Sequence, residues 1–233
     1  MVRIIAGARK GRVLVTPEGS ATRPTADRVR QALFDMLAHA PWGGADLLAG
    51  AHVLDAFAGT GALGLEALSR GAGHATFFET DRAALAALRA NIRACGWENR
   101  CTVIARDVTA PPRIKADQTP AGPVPASLVF VDPPYRMTLP ARALTGLKAS
   151  GWLAENATVV IETGRDEPLP FTDTTAHAAP SAATTRPAGQ AAPPSAAAEP
   201  GVFAPSPHHE ATGGPRWLAE RQHGAARLSI WRL

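Results

Sequence analysis

Hydrophobic residues in this chain change period several times, and each change predicts an element. Two short runs rich in β-branched residues, 2–7 (VRIIAG) and 12–16 (RVLVT), flank the basic stretch ARKG and predict a β-hairpin. After the loop PEGSAT, Pro24 stands where a first helical position would be, and Val29, Leu33, Met36 and Leu37 follow at helical spacing. Arg23, Asp27 and Arg30 lie elsewhere on that wheel, and PWGG (41–44) ends the helix. A regular alternation then begins. Strands are predicted at 51–58, 74–79, 101–107, 127–132 and 157–163. Between them come a Gly-rich turn at 59–64 opening a helix through about 70, a helix from Arg82 to Cys95, and a helix over 139–147. The Arg82–Cys95 helix carries Leu85, Leu88, Ile92 and Cys95 on one stripe. Strand–helix alternation of this kind means an α/β fold, a mostly parallel sheet with helices on both faces. Two last strands, around 217–222 and 226–233, bring the sheet to seven.

Two stretches break the order. Residues 109–126 carry five prolines and must connect strand to strand as a loop or a degraded helix. Residues 172–215 are low in complexity, 13 Ala and 8 Pro in 44 positions, and offer too little apolar surface to offset the entropy of ordering. The chain of 233 residues therefore divides into four parts. These are an N-terminal hairpin and helix (1–42), an α/β core (43–171), a disordered insertion (172–215) and C-terminal strands completing the sheet (216–233).

No apolar run reaches the ~20 residues of a membrane span, and the N-terminus lacks the apolar stretch of a signal peptide, so a cytoplasmic protein is expected. Cys95 and Cys101 make neither a disulfide scaffold nor a zinc motif, and His208-His209 has no Cys or carboxylate cluster near it, so no metal is expected. A single domain favours a monomer. The net charge of +4 is unevenly spread. Residues 1–30 hold seven basic groups (Arg3, Arg9, Lys10, Arg12, Arg23, Arg28, Arg30) against Glu18 and Asp27, and the rest of the chain is slightly acidic. A localised basic arm suits a polyanionic partner.

Two motifs carry chemistry. Gly59, Gly61 and Gly64 form G-x-G-x-x-G after a strand and before a helix, with Glu79 twenty positions on. Formally this is a dinucleotide fingerprint, with the acidic residue on a ribose diol. Asp55, four residues before the first glycine, would repel a pyrophosphate and suits instead the cationic end of S-adenosylmethionine (SAM). The second motif is Asp132-Pro133-Pro134-Tyr135 at the carboxyl end of a strand, where open α/β sheets bind ligands. Its prolines stiffen the backbone and set the Asp132 carboxylate and the Pro133 carbonyl as two acceptors for a planar NH2 group. Tyr135, the only tyrosine, can stack on a flat base.

At these residues the chain resembles class I SAM-dependent methyltransferases of the amino-methylating, D/N-P-P-Y type. Its segments RIIAGARKGRVLVTP, TRPTADRVRQALFDML, VLDAFAGTGALGLEALSRGA and FVDPPY look like the RsmD family, which makes N2-methylguanine in small-subunit (16S) ribosomal RNA. The resemblance covers about 2–108, 127–165 and the last strands from 217. It implies a Rossmann-like core and a set of roles. Asp55, Gly59 and Gly61 would line the SAM amino-acid moiety, Phe57 would also bind the cofactor, Glu79 would hold the ribose, and Asp107 and Val108 would lie by the adenine. Arg23, Pro24 and Thr25 would cover the cofactor. Asp132, Pro133, Pro134 and Tyr135 would hold the target guanine, and Arg3, Arg9, Lys10, Arg12 and Arg28 would meet RNA phosphates. The Pro-rich stretch and the insertion depart from the family pattern and leave the motifs intact. Three alternatives stay open. The first is an amino methyltransferase for DNA adenine, DNA cytosine or protein glutamine. The second is an NAD-dependent oxidoreductase, where D-P-P-Y has no role. The third is a non-catalytic RNA-binding assembly factor.

Overall fold

A two-stranded antiparallel ribbon opens the fold, β1 (Val2–Arg3) against β2 (Val13–Leu14), with a 3₁₀ turn at Gly7–Arg9 between them. The computed structural model describes residues 1–17, 24–114, 124–134, 138–171 and 214–233, and for 24–26 and 45 the backbone alone. Arg23, Tyr135, His208, His209 and the low-complexity segment 172–213 lie outside the described residues, as do the side chains of Pro24 and Thr25.

Helix α1 (Pro24–His39) and the one-turn α2 (Ala45–Leu48) lead into the sheet. Its first five strands are β3 (His52–Asp55), β4 (His74–Phe78), β5 (Cys101–Ile104), β6 (Ala126–Val131) and β7 (Leu153–Gly164). Helices α3 (Ala62–Ser69), α4 (Arg82–Cys95) and α5 (Leu139–Ala149) run between them. Strands β8 (Arg216–His223) and β9 (Ala226–Arg232) close the chain. The spatial order is β5-β4-β3-β6-β7-β9-β8. All neighbouring pairs through β7 are parallel, and β9 alone runs against its neighbours. Chain order therefore reverses at β3, which sits between β4 and β6. Ligands of open α/β sheets bind beside such a reversal, at the carboxyl ends of the strands.

Alternation along the strands divides the core in two. Leu128 and Phe130 of β6 face α1, α3 and α4, where Phe34, Leu37, Leu65 and Leu88 are buried. Val129 and Val131 face α5, with Leu144, Leu147 and Trp152. α4 has the predicted bounds because its ends are well marked. Asp81 caps the N-terminus by accepting from the Ala84 N–H at 2.8 Å, and Gly96 ends the helix in the left-handed region. Strand β7 starts earlier than predicted, at Leu153, and the polar residues Glu155 and Asn156 interrupt its pattern. Asn156 has φ of 60°, and the register against β6 shifts between Ala126 and Leu128. The start of the Pro-rich stretch is fixed in place, since Trp152 Nε1 donates to the Pro112 carbonyl at 2.7 Å and the Ile114 N–H to Ser150 O at 3.0 Å.

The N-terminal ribbon is bolted to the core rather than appended to it. Glu66, fully buried in α3, accepts from the Ile5 N–H at 2.6 Å, the Ala6 N–H at 3.1 Å and Arg70 Nε at 2.7 Å. Ser69 Oγ accepts from the Arg9 N–H at 3.0 Å. Asn91 of α4 accepts from the Val15 N–H at 2.7 Å and donates to the carbonyls of Val15 and Thr60, both at 3.0 Å. Gly7 makes the approach possible: its φ is +79°, and a Cβ there would lie 1.8 Å from the Ser69 carbonyl oxygen. Glu66→Ala is expected to cost about 2–3 kcal/mol, because it strands backbone donors and the Arg70 cation away from water. Urea unfolding checks this, and a loss below about 0.5 kcal/mol, the size of an ordinary surface change, contradicts it. No helix among the described residues is long and apolar enough to cross a membrane.

Candidate active site

Five carboxylates stand at or just past the carboxyl ends of the parallel strands: Asp55 (β3), Glu79 (β4), Asp107 (β5), Asp132 (β6) and Glu162 (β7). The sequence picks out four of them; Glu162 has no local motif.

Asp55 is 1% exposed and lies under the Gly-rich turn. One oxygen accepts the Gly64 N–H at 3.1 Å. Gly64 fits there because its backbone presses on Phe77, whose Cε1 would be 2.3 Å from an added Cβ. No ion pair among the described residues reaches Asp55. Burial pushes its pKa up to about 7, the Gly64 hydrogen bond pulls it down, and Glu79 raises it further. Glu79 braces the turn from the other side. Its Oε2 accepts the Gly59 N–H at 2.7 Å, and its Oε1 accepts from Thr80 and Asp81 at 2.7 and 2.8 Å. Gly61 is the N-cap of α3. Phe57 packs on the core cluster that contains buried Val108, and Asp107 is exposed, with Oδ1 accepting the Thr109 N–H at 2.8 Å. A buried carboxylate without a cationic partner, a second carboxylate holding the glycine turn, and a third at the next strand end fit a cationic ligand bearing a ribose and a base.

Beside this groove, on the α1 face of the sheet, is a cavity of about 350 Å³. Phe130, Val160 and Leu228 make an apolar floor. Thr60, Ala62 and Leu63 bring the glycine turn to its wall, and Asp132, Glu162, Arg30 and His223 supply polar groups. The cavity thus joins the glycine turn to Asp132. Asp132 and Pro134 are exposed and Pro133 is buried, as expected for a rigid turn that offers one side chain to a ligand. Surrounding protein on its inner side, then Glu162, then Asp55, hold the Asp132 pKa above the usual carboxylate range. Solvent access works against the first of these, but the two neighbouring carboxylates push the same way. Arg30, set off the apolar stripe of α1 as the sequence indicates, is nevertheless 6% exposed, donating to the Arg3 carbonyl at 2.6 Å and to Asp27 at 2.9 Å.

The basic groups of the ribbon differ in their surroundings. Lys10, Arg12 and Arg28 are exposed. Arg3 is exposed and 3.8 Å from Asp27. Arg9 is exposed but tied: Nε donates to Cys95 O at 2.9 Å, and its guanidinium lies 5.8 Å from the centre of the Trp97 ring.

With this geometry in view, comparison with known proteins gives a consistent match. The family described as conserved hypothetical protein 95 matches residues 2–187. The small-subunit ribosomal RNA methyltransferase D of Escherichia coli is 38% identical over 176 residues, 72% of this chain and 78% of that protein. The Haemophilus influenzae protein of the same name is 35% identical over 168 residues, 72% and 81% of the two chains. Among solved structures, the Escherichia coli protein yhhF, described as a candidate methyltransferase, superposes with a TM-score of 0.66 at 26% identity, covering 99% of this chain and 97% of that one.

Proposed function

From the premise that this chain belongs to the conserved hypothetical protein 95 family, and that its curated relatives include ribosomal RNA small-subunit methyltransferases, we propose that it transfers a methyl group from SAM to the exocyclic N2 amine of a guanine in small-subunit (16S) ribosomal RNA. The observation that carries this reading is the cavity, which opens Asp132 and a second carboxylate, Glu162, beside the glycine turn. The Rossmann-like methyltransferase fold supports it.

Asp55 and the turn from Gly59 to Gly64 would hold the amino-acid end of SAM, Glu79 the ribose and Asp107 with Val108 the base. SAM when bound supplies an electrophilic methyl group on a sulfonium leaving group. The rest of the work falls to the chain. The guanine N2 lone pair is delocalised into the ring, so the amine is a weak nucleophile. Asp132 and the Pro133 carbonyl accept its two N–H bonds and favour the pyramidal, attacking geometry. The nitrogen becomes cationic in the transition state, and Asp132 faces that charge from a position fixed beforehand. Asp132, with its pKa raised toward neutrality, then takes the surplus proton, directly or by relay to water. A guanine stacked in a duplex cannot enter the cavity, so the substrate base is looped or flipped out.

The test is transfer from labelled SAM to small ribosomal subunits lacking the modification, followed by nucleoside analysis. Labelled N2-methylguanosine is expected. SAM binding without label in RNA overturns the substrate and moves the search to DNA and protein glutamine. RNA binding has its own check. Lys10→Glu with Arg12→Glu is expected to lower the slope of log affinity against log salt by about 1.5, at roughly 0.7–0.9 for each phosphate no longer neutralised. Arg9 is left out because its reversal would also break its ties to Cys95 and Trp97. An unchanged salt slope removes the ribbon from the RNA interface.

A further inference from the structure

The cavity holds more polar groups than methyl transfer to an amine requires. Parallel pairing sets Val131 of β6 opposite Ile161 of β7. One residue further on, this register puts Asp132 beside Glu162, on strands about 4.8 Å apart. Both face the α1 side, since both line the cavity together with Phe130 and Val160, two positions earlier on each strand. On the next strand, Leu228 pairs with Glu162 and floors the cavity beneath it. Two buried nitrogens in residues lining the same space have no hydrogen-bond partner, the donor Arg30 Nε and the imidazole His223 Nε2. Arg30 as a whole is 6% exposed. Two adjacent carboxylates and two unsatisfied nitrogens around one space with an apolar floor make a hydrogen-bonding site suited to a planar heterocycle.

We propose that Glu162 is the specificity residue of this site: it accepts the guanine N1–H while Asp132 holds the N2 amine, and Arg30 and His223 face the O6 and N7 side. This rests on the reading of the protein as a guanine-N2 methyltransferase. Donor patterns on the possible substrates decide the assignment. Guanine presents N1–H directly beside its N2 amine, so its edge carries donors to two carboxylates and then an acceptor, O6. Adenine has an unprotonated N1 beside its amine, and cytosine an unprotonated N3 beside its own. A glutamine side chain has a carbonyl oxygen there. Each of these would set a lone pair against Glu162, and a half-buried carboxylate closed off by a bound base and facing its lone pair is disfavoured. Asp132 alone accepts any of the four amines.

The comparison uses small subunits rebuilt with either guanine or 2-aminopurine at the methylated position. 2-Aminopurine keeps the N2 amine but lacks N1–H and O6. Wild-type protein is expected to prefer guanine by about 100-fold or more in kcat/KM, since a site built for a hydrogen bond rejects the analogue without it. Glu162→Gln can turn its amide to donate to the unprotonated N1 of 2-aminopurine, and is expected to narrow the preference at least about tenfold. Because 2-aminopurine also lacks O6, the variant is what isolates the N1 contact. Equal use of the two bases by wild type overturns the proposal and needs no variant, so a Glu162→Gln protein that fails to fold does not remove the test. An active variant with an unchanged preference overturns it too. A folded, SAM-binding variant inactive on both bases assigns Glu162 to the chemistry rather than to base choice, which is again a refutation. No N2-methylguanosine from wild type sinks the underlying reading and this inference with it. N2-methylguanosine with an unchanged preference in the variant sinks this inference alone.

Discussion

Asp132→Ala is expected to lower single-turnover methyl transfer by about 10³-fold while leaving SAM binding largely in place. The magnitude is that of losing a proton acceptor together with a hydrogen-bonding group at a nitrogen where charge develops. SAM binding should be spared because Asp132 lines the cavity proposed for the substrate, whereas Asp55 and Glu79 bond to the glycine turn. Asp132→Asn is expected to fall between, since the amide oxygen still accepts an N–H but takes no proton. The pH profile separates the two roles. Asp132 accepts only when ionised and its pKa is raised, so the wild-type rate should climb with pH through the neutral range. The Asn variant should lose that rise. Turnover at the wild-type rate in Asp132→Ala would end the assignment of Asp132 as the acceptor.

The second large effect concerns Asp55, and its sign follows from linkage. Its folded-state pKa of about 7 lies above the value of 3.8 it has when unfolded. Below pH 4 both states are protonated and the group contributes nothing adverse. Between pH 4 and 7 the folded state keeps a proton that the unfolded state has lost, so stability falls as pH rises, and above 7 the loss is complete. At 1.36 kcal/mol per pH unit the full loss is on the order of 4 kcal/mol. Asp55→Asn keeps an acceptor for the Gly64 N–H and carries no charge. It should match wild type near pH 4 and exceed it by a few kcal/mol at pH 8, in denaturant unfolding without ligand. The same variant should bind SAM poorly and without the wild type's tightening toward pH 7, because a cationic group beside Asp55 stabilises the ionised form. Parallel stability curves for the two proteins from pH 4 to 8 would refute the account. On this account the chain would keep a residue that weakens its own fold at neutral pH, where a ligand ammonium would restore the balance.

Both effects were legible in the sequence to different degrees. Asp55, Glu79 and Asp132 stand in local motifs whose spacing reflects a strand running into a turn, and the structure places all three at strand ends as expected. The α4 boundaries were legible for the same reason, through Asp81, Gly96 and a continuous apolar stripe. Glu162, His223 and Arg30 were not. They come from β7, the end of β8 and α1, and only the order β6-β7-β9-β8 and the packing of α1 bring them to Asp132. Arg30 stands off the apolar stripe of α1, and nothing local shows that its partner is the Arg3 carbonyl of the ribbon. Glu66 was invisible too, because a glutamate on an apolar helix gives no sign that it will receive backbone N–H groups from sixty residues upstream. Local spacing marked the candidate site, while the proposed base contacts and the seating of the N-terminal ribbon depend on residues distant in sequence.

That seating bears on how fast a polyanion would be captured. Held by Glu66, Ser69 and Asn91, the turn from Gly7 to Arg12 keeps its shape before anything approaches. An arm ordered in advance spends little conformational entropy at the encounter, unlike a tail that must fold onto its target. Its positive field then acts at a distance and in a fixed direction, which speeds diffusive approach. Raising ionic strength should consequently slow association of RNA with this protein and leave the dissociation rate nearly unchanged.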